Sequence, residues 1–425
     1  MQTVRLQIKC PPLRQSLAAG LIAALSGGAW AADDPSPYFL GIRQEVAHDS
    51  NVYRVPDGRG DYYSSTGLVG GFDQLISRQR VYASANIKYN KYHNEDTLDN
   101  TSYGVRAGWD WATIENLSGS FNGNANQNLA SFNGNNTIPT SSRNLAKTDQ
   151  VAASIKWGGE GLITLKGDYG HSRVKYSAPE YLGEQSSGDT GSVGAFFRLG
   201  ADTRVGAGVR FTHSSAPYAL PNGIVTDPTD PSQFHELKSS GRNLDLTVDW
   251  RYSAQTNFFG RLSYTRQTFS PDLPELPPFS GLTGAIYGNY APTAKLSFNV
   301  AVIRDAGINS AFFNVVGAPS TGSTASNVGL SENSQVTDVA NLGLRYEVTA
   351  KIAATAGYQY RHSKTVNVTL GDQSDHLRST QIGLTYDITR NWQAACNLSH
   401  ESRSVSSGLA YSANVAGCLA QFTLR

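Results

Sequence analysis

The stretch Gly383–Leu398, GLTYDITRNWQAACNL, decides how the rest of the chain is read. Leu384 and Tyr386 alternate with Thr385 and Asp387, and Thr389-Arg390-Asn391 interrupts the pattern. Trp392, Ala394, Cys396 and Leu398 then alternate with Gln393, Ala395, Asn397 and Ser399. Successive side chains of a strand point to opposite faces, so the stretch reads as strand, short polar turn, strand. An aromatic residue closes the first strand, and a bulky apolar residue opens the second.

The same device recurs outward along the chain. Trp111–Leu117, Tyr252–Phe258, Tyr290–Leu296 and Tyr346–Ile352 share its spacing. Trp157–Leu162, Leu199–Val205 and Phe72–Arg78 are looser versions. Between them lie longer polar connections rich in Asn, Ser, Gly and Pro. Short turns alternating with long loops is the plan of an outer-membrane barrel, the short ones periplasmic and the long ones extracellular. On that template the chain predicts an all-β, transmembrane, antiparallel up-and-down barrel of eighteen strands, from 38–48 to 410–424. Sixteen is the alternative count, and both termini fall on the periplasmic side.

Alternation also assigns the faces. Leu244, Leu246, Val248, Trp250 and Tyr252 oppose Asn243, Asp245, Thr247, Asp249 and Arg251; Leu342, Leu344, Tyr346 and Val348 oppose Asn341, Gly343, Arg345 and Glu347. A soluble sandwich would alternate too. It would not end strand after strand in Trp or Tyr, which favour the membrane–water interface. The apolar set is therefore expected to face lipid and the polar set the lumen.

Composition agrees. Charged residues make up 16% of the 425 residues, against about 25% in soluble domains. Gly at 42 and Tyr at 21 are abundant, and Met falls to 1. Mean hydropathy is −0.34, and nothing after the N-terminus approaches the roughly 20 apolar residues of a membrane helix. At the N-terminus Arg5, Lys9 and Arg14 precede an apolar core at Leu17–Ala24 and the small-residue exit Ala29-Trp30-Ala31. Residues 1–31 are expected to be a secretory signal peptide and 32–425 the barrel. Without those three basic residues, 32 Lys+Arg stand against 34 Asp+Glu, a formal charge near −2. Nucleic-acid binding wants a basic excess, and there is none.

No catalytic, cofactor-binding or metal-ligating arrangement is legible. The eight His residues are scattered without ligand spacing, and no Ser is framed as Gly-x-Ser-x-Gly. The cysteines Cys396 and Cys418 are symmetric about residue 407 in the turn Ser406-Ser407-Gly408. Two readings stand: a cross-strand disulfide in an oxidising envelope, or two free, buried, small apolar residues. A loop one residue off would break the pairing.

Function is expected on the polar parity. Its basic members are Arg80, Lys88, Arg106, Lys156, Lys166, Arg198, Arg204, Arg210, Arg251, Arg261, Arg345 and Arg361. Acids on the same parity are fewer: Asp110, Asp168, Asp245, Asp249 and Glu347. Charged rings bias a pore toward solutes of opposite sign, so the lumen is expected to favour anionic or polar polymers. The equal alternative is that these cations pair with acids and brace the wall. Tyr82, Phe196, Phe259 and Tyr287 share the parity and suit sugar rings, or merely fill space. Four loops, 127–147, 215–239, 270–280 and 307–334, are long enough to constrict the pore or bind a partner, or are plain exposed surface.

Three segments carry a resemblance. Asp49-Ser-Asn-Val-Tyr-Arg54 follows the first strand, Phe279-Ser-Gly-Leu-Thr-Gly284 leads into Tyr290-Ala-Pro-Thr-Ala-Lys295, and Arg304-Asp-Ala-Gly307 closes the next strand. Together they resemble the EpsL-type outer-membrane proteins of exopolysaccharide operons, within the beta-barrel porin 2 class. The C-terminus, Gln421-Phe-Thr-Leu-Arg425, departs from a terminal aromatic, although Phe422 and Leu424 keep the alternation of a closing strand. The resemblance implies passage of a secreted polysaccharide across the outer membrane of a Gram-negative bacterium, alongside periplasmic export proteins. Barrel assembly machinery and outer-membrane lipid are the other expected partners, and a monomer the expected state. The alternatives are a general or sugar-specific diffusion porin for uptake, and a structural or adhesive surface protein acting through its loops.

Overall fold

In the computed structural model, Pro37–Arg425 forms one unit. The structure describes residues 36–424 apart from 131–141, 160, 222–226, 228, 254, 273–276, 308–335, 368–370 and 407–409. The predicted signal peptide therefore lies outside the described residues, as do most of the 307–334 loop and the middle of the 127–147 loop.

The strands are β1 (Tyr38–Asp49), β2 (Asp61–Ile76), β3 (Gln79–Tyr92), β4 (Asn100–Ala112), β5 (Leu117–Leu129), β6 (Leu145–Trp157), β7 (Ile163–Tyr176), β8 (Ser186–Arg198) and β9 (Thr203–Pro221). They continue as β10 (Phe234–Ser253), β11 (Thr256–Ser270), β12 (Phe279–Thr293), β13 (Leu296–Ala306), β14 (Val336–Glu347), β15 (Ile352–Asn367), β16 (Gly371–Asp387), β17 (Trp392–Val405) and β18 (Tyr411–Leu424). Each pairs antiparallel with the next, and β1 pairs with β18 to close an 18-stranded barrel. Closure leaves no open edge, as a sheet in hydrocarbon requires. Among the described residues no helix is long and apolar enough to cross a membrane.

The two faces separate as the alternation demands. Leu244, Leu246, Val248 and Trp250 are exposed, whereas Asn243 and Asp245 between them are buried. The same holds around the ring, from Leu40 and Ile42 on β1 to Leu384 on β16 and Leu398 on β17. An apolar band of this extent has its natural solvent in lipid. Aromatic rings pair on it beside the short turns: Trp392 with Phe422 at 5.1 Å, Tyr290 with Phe298 at 6.3 Å and Trp250 with Phe258 at 5.9 Å between centroids.

The recurring turn has a shared chemistry. Thr389 Oγ1 accepts from the backbone N–H of Asn391 and of Trp392 at 3.3 and 3.1 Å. Thr349 does the same for Lys351 and Ile352, and Thr293 for Lys295 and Leu296. One hydroxyl thus satisfies two donors that the reversing chain takes out of the ladder.

One loop expectation is corrected. Much of 215–239 is strand: β9 and β10 extend to a pairing of Phe234 with Pro221, with a register shift between His235 and Leu237. Pro217, opposite that shift, cannot donate to a ladder, which is why the segment read as loop; a bulge accommodates it.

Candidate functional site

All sixteen candidate lumen residues lie on the face opposite the exposed apolar band, because each shares the strand parity of the polar set. The expected basic excess on that face is corrected. Among the described residues, the twelve basic positions become fourteen with Arg43 and Arg403, while the five acids become thirteen with Glu45, Asp49, Asp61, Asp73, Asp305, Asp375, Asp387 and Glu401. Several of the added acids, Asp49, Asp61 and Asp375, sit just beyond the strand ends expected from sequence. Overall the inner wall is nearly neutral, and its charge is distributed rather than uniform.

A small concavity of about 60 Å³ opens on the inner face of β7–β12. Lys166, Asp168, Arg210, Asp245, Thr247 and Arg261 supply its polar lining, and Phe196, Phe259 and Tyr287 its aromatic lining. Six of the predicted residues converge here: Lys166, Arg210, Arg261, Phe196, Phe259 and Tyr287. Arg210 Nε donates to Asp245 Oδ2 at 3.0 Å and Nη2 to Oδ1 at 3.4 Å, a forked contact. Asp305 Oδ2 lies 3.9 Å from Arg210 Nη1 and 3.7 Å from Arg261 Nη2, within ion-pair range but without a hydrogen bond of its own. Phe259 stands opposite Tyr287 in the ladder, ring centroids 6.1 Å apart. Ala285, Ile303 and Val339 pack beside Tyr287 as a buried apolar strip. The site therefore offers guanidinium donors, a carboxylate and flat apolar surface in one place. Gly206, opposite Phe196, leaves the space: a Cβ there would come within 2.6 Å of the Phe196 ring.

Toward the short-turn end the same wall becomes basic. Lys156 stands opposite Lys166 and Arg198 opposite Arg204. The charges of Lys166, Arg204 and Arg251 bear on Lys156. Asp168 lies 2.9 Å from Lys166 and Asp249 4.0 Å from Arg251. On the neighbouring stretch Arg80 pairs with Asp73 at 2.5 Å, and Arg80 and Arg106 lie 5.1 and 5.8 Å from the centre of the Tyr82 ring. Arg345 pairs with Glu347 at 2.7 Å, and Lys88 stands between Gly67 and Ser102.

Toward the long-loop end the inner wall is buried. Asn243, Thr265, Gln267, Thr337, Ser363 and Arg403 each expose 5% or less of their surface. Asp375 holds Arg403 at 2.8 Å and Arg361 at 3.3 Å, bridging β15, β16 and β17. The 50–60 connection is tied down across the closing seam. Asn51 Nδ2 donates to Ser412 O at 3.1 Å, and Arg54 contacts both Asp49 and Glu401 at 2.8 and 3.4 Å. Tyr53 donates to Glu95 at 2.7 Å, and burial together with that carboxylate pushes its phenol up to about 12. Parity alone could have found Asp305 and Glu401; Asp375 and Arg403 needed the true strand lengths.

Cys396 and Cys418 stand opposite each other on β17 and β18 and are joined as a disulfide. They lie on the outward face with Leu384 and Leu398. Among the described residues no cluster of three or more His, Cys, Asp or Glu is arranged to hold a metal ion.

No family model matches the chain, and no curated protein does. The resemblance to EpsL-type proteins accordingly stays at its three motifs. Solved barrels do match. OccK1 (OpdK) of Pseudomonas aeruginosa is 10% identical, with a TM-score of 0.45, covering 91% of this chain and 99% of its own. P. aeruginosa OccK2 (OpdF), in complex with glucuronate, is 10% identical at a TM-score of 0.46 over 92% of this chain and 98% of its own. Acinetobacter baumannii OccAB3 is 10% identical at 0.40 over 91% of this chain and 98% of its own. At these values the likeness concerns architecture and carries nothing about solute.

Proposed function

We propose that the protein is an outer-membrane diffusion channel for small polar solutes bearing negative charge, carboxylates or acidic sugars, which it admits by passive passage. The observation that carries this is the convergence of Arg210 and Arg261 on the concavity beside Phe259 and Tyr287. The basic wall around Lys156, Arg198, Arg204 and Arg251 extends that attraction toward the periplasmic mouth. Buried inner-wall residues toward the long loops fit a narrow passage, which suits a monomeric or dimeric solute better than a chain of sugars. Uptake is therefore preferred to export of exopolysaccharide, whose support is the motif resemblance. Removal of residues 1–31 and insertion by the barrel assembly machinery through β18 belong to the same reading.

Swelling of liposomes containing the purified barrel tests it. Sugar acids are expected to enter faster than the matching neutral sugars, and oligosaccharides to be excluded. Equal entry of acidic and neutral sugars, or entry of an oligosaccharide at a comparable rate, would overturn the proposal.

A further inference from the structure

Arg242 on β10 and Arg266 on β11 stand directly opposite each other, both exposed, on the outward face. Like charges directly opposite in a ladder destabilise it. Some outward cations on other rungs pair with an acid, Lys238 with Glu236 at 3.0 Å, Arg173 with Asp149 at 2.9 Å and Arg304 with Asp338 at 3.0 Å, whereas Lys147 and Lys175 also stand opposite each other. Among the described residues, Arg242 and Arg266 form no ion pair with an acid. Their cross-strand neighbours are Phe211 and Ser280, and the next outward pair toward the loops is Ser240 with Thr268. Glu236, farther along β10, is engaged by Lys238 and by Ser215 at 2.6 Å.

Their height identifies what meets them. One outward step toward the short turns lie Leu244 and Tyr264, 58% and 56% exposed, with Leu282 beside them. The arginines thus sit where the apolar band ends on the long-loop side, the level of the outer-leaflet headgroups. Tyr264 OH lies 2.9 Å from Ser280 Oγ, a polar tip at the same boundary. Two guanidinium forks across one ladder rung match the oxygens of a phosphomonoester, whose charge would relieve their repulsion.

We propose that Arg242 and Arg266 form a binding site for the phosphate of an outer-leaflet glycolipid. The site lies on the barrel exterior, and it rests only on the outer-membrane placement in the function proposed above, since no lumen residue takes part.

The experiment adds bisphosphorylated lipid A to the detergent-purified full-length barrel and counts retained lipid by native mass spectrometry after detergent exchange. The wild type is expected to retain it, and Arg242→Ser/Arg266→Ser to bind about tenfold more weakly, the order expected for losing charge-assisted contacts. Arg242→Lys/Arg266→Lys should retain an intermediate amount. Dephosphorylated lipid A should bind the wild type as weakly as the full lipid binds the serine variant. Millimolar inorganic phosphate should not displace the lipid. Equal retention by wild type and serine variant, equal binding of dephosphorylated lipid, or displacement by inorganic phosphate alone would overturn the site. If the serine variant does not fold, the last two comparisons on the wild type still decide. Channel conductance of the serine variant is expected to equal that of the wild type, so a failed lipid site and a failed channel give different results.

Discussion

Asp305 on β13 lies 3.7 Å from Arg261 on β11, reaching past the intervening strand β12. It can do so because β12 presents Ala285 at the rung facing Arg261 and Ile303, a side chain too short to block the contact. Arg210 on β9 approaches the same carboxylate at 3.9 Å. One acid therefore links three strands of the inner wall to a fourth through Asp245.

Asp305→Ala is expected to destabilise the barrel strongly. It removes a carboxylate within ion-pair range of two buried guanidiniums, and uncompensating a buried charge costs about 3–5 kcal/mol. Urea unfolding in lipid vesicles measures it; a change within the scatter of surface substitutions would show that the network is not a brace. Asp305→Asn, which keeps the shape, should lose less.

Tyr287→Ala should widen the passage. The ring faces Phe259 and the Ala285, Ile303 and Val339 strip, so its removal opens the concavity without removing a charge. Single-channel conductance is expected to rise with unchanged ion selectivity. Unchanged conductance would place Tyr287 away from the path.

Cys396–Cys418 closes a loop with a sequence separation of 22. A crosslink of that span contributes about 3 kcal/mol in chain-entropy estimates. For the chain without residues 1–31, which carry Cys10, intact mass after alkylation should show no label without reductant and two labels after unfolding in reductant. Two labels without reductant would mean that the thiols are free.

Alkaline pH should loosen the 50–60 connection. The phenol of Tyr53 is raised from 10.0 to about 12 in the folded chain, so its hydrogen bond to Glu95 is fully present below pH 10 and lost as pH rises through about 12. Proteolysis of the connection should increase over that window in the wild type and be insensitive to it in Tyr53→Phe. Equal pH dependence in both would assign the effect elsewhere.

Architecture was largely legible because lipid imposes period two and a closed ring, and because the Thr-centred turns repeat. Leu384, Tyr386 and Trp392 sit on the face that alternation assigned them. The ends of strands were less legible: β9 and β10 continue past Pro217 by a bulge, a backbone adjustment that leaves no apolar pattern. Short strand ends likewise hid Asp49, Asp61 and Asp375, which with acids already on the polar parity, such as Asp305 and Glu401, bring the wall close to neutral. The cysteine register was legible as one of two readings, since a single-residue change in the turn would have set the pair apart. The lumen concavity was legible only as parity, because Arg210, Arg261 and Asp305 meet through the tilt of neighbouring strands, which sequence spacing does not show.

Thr349→Val should weaken its turn. The hydroxyl serves the N–H groups of Lys351 and Ile352, and losing two exposed hydrogen bonds costs about 1 kcal/mol. Urea midpoints of the variant and wild type compare it directly, and an unchanged midpoint would show that water replaces the hydroxyl at no cost.

The most direct test of the channel is its reversal potential in a planar bilayer separating two concentrations of potassium chloride. A potential of the sign for anion preference is expected, reduced in Lys156→Ala/Arg204→Ala and shifted toward neutrality by millimolar glucuronate. A cation-selective potential in the wild type would contradict it.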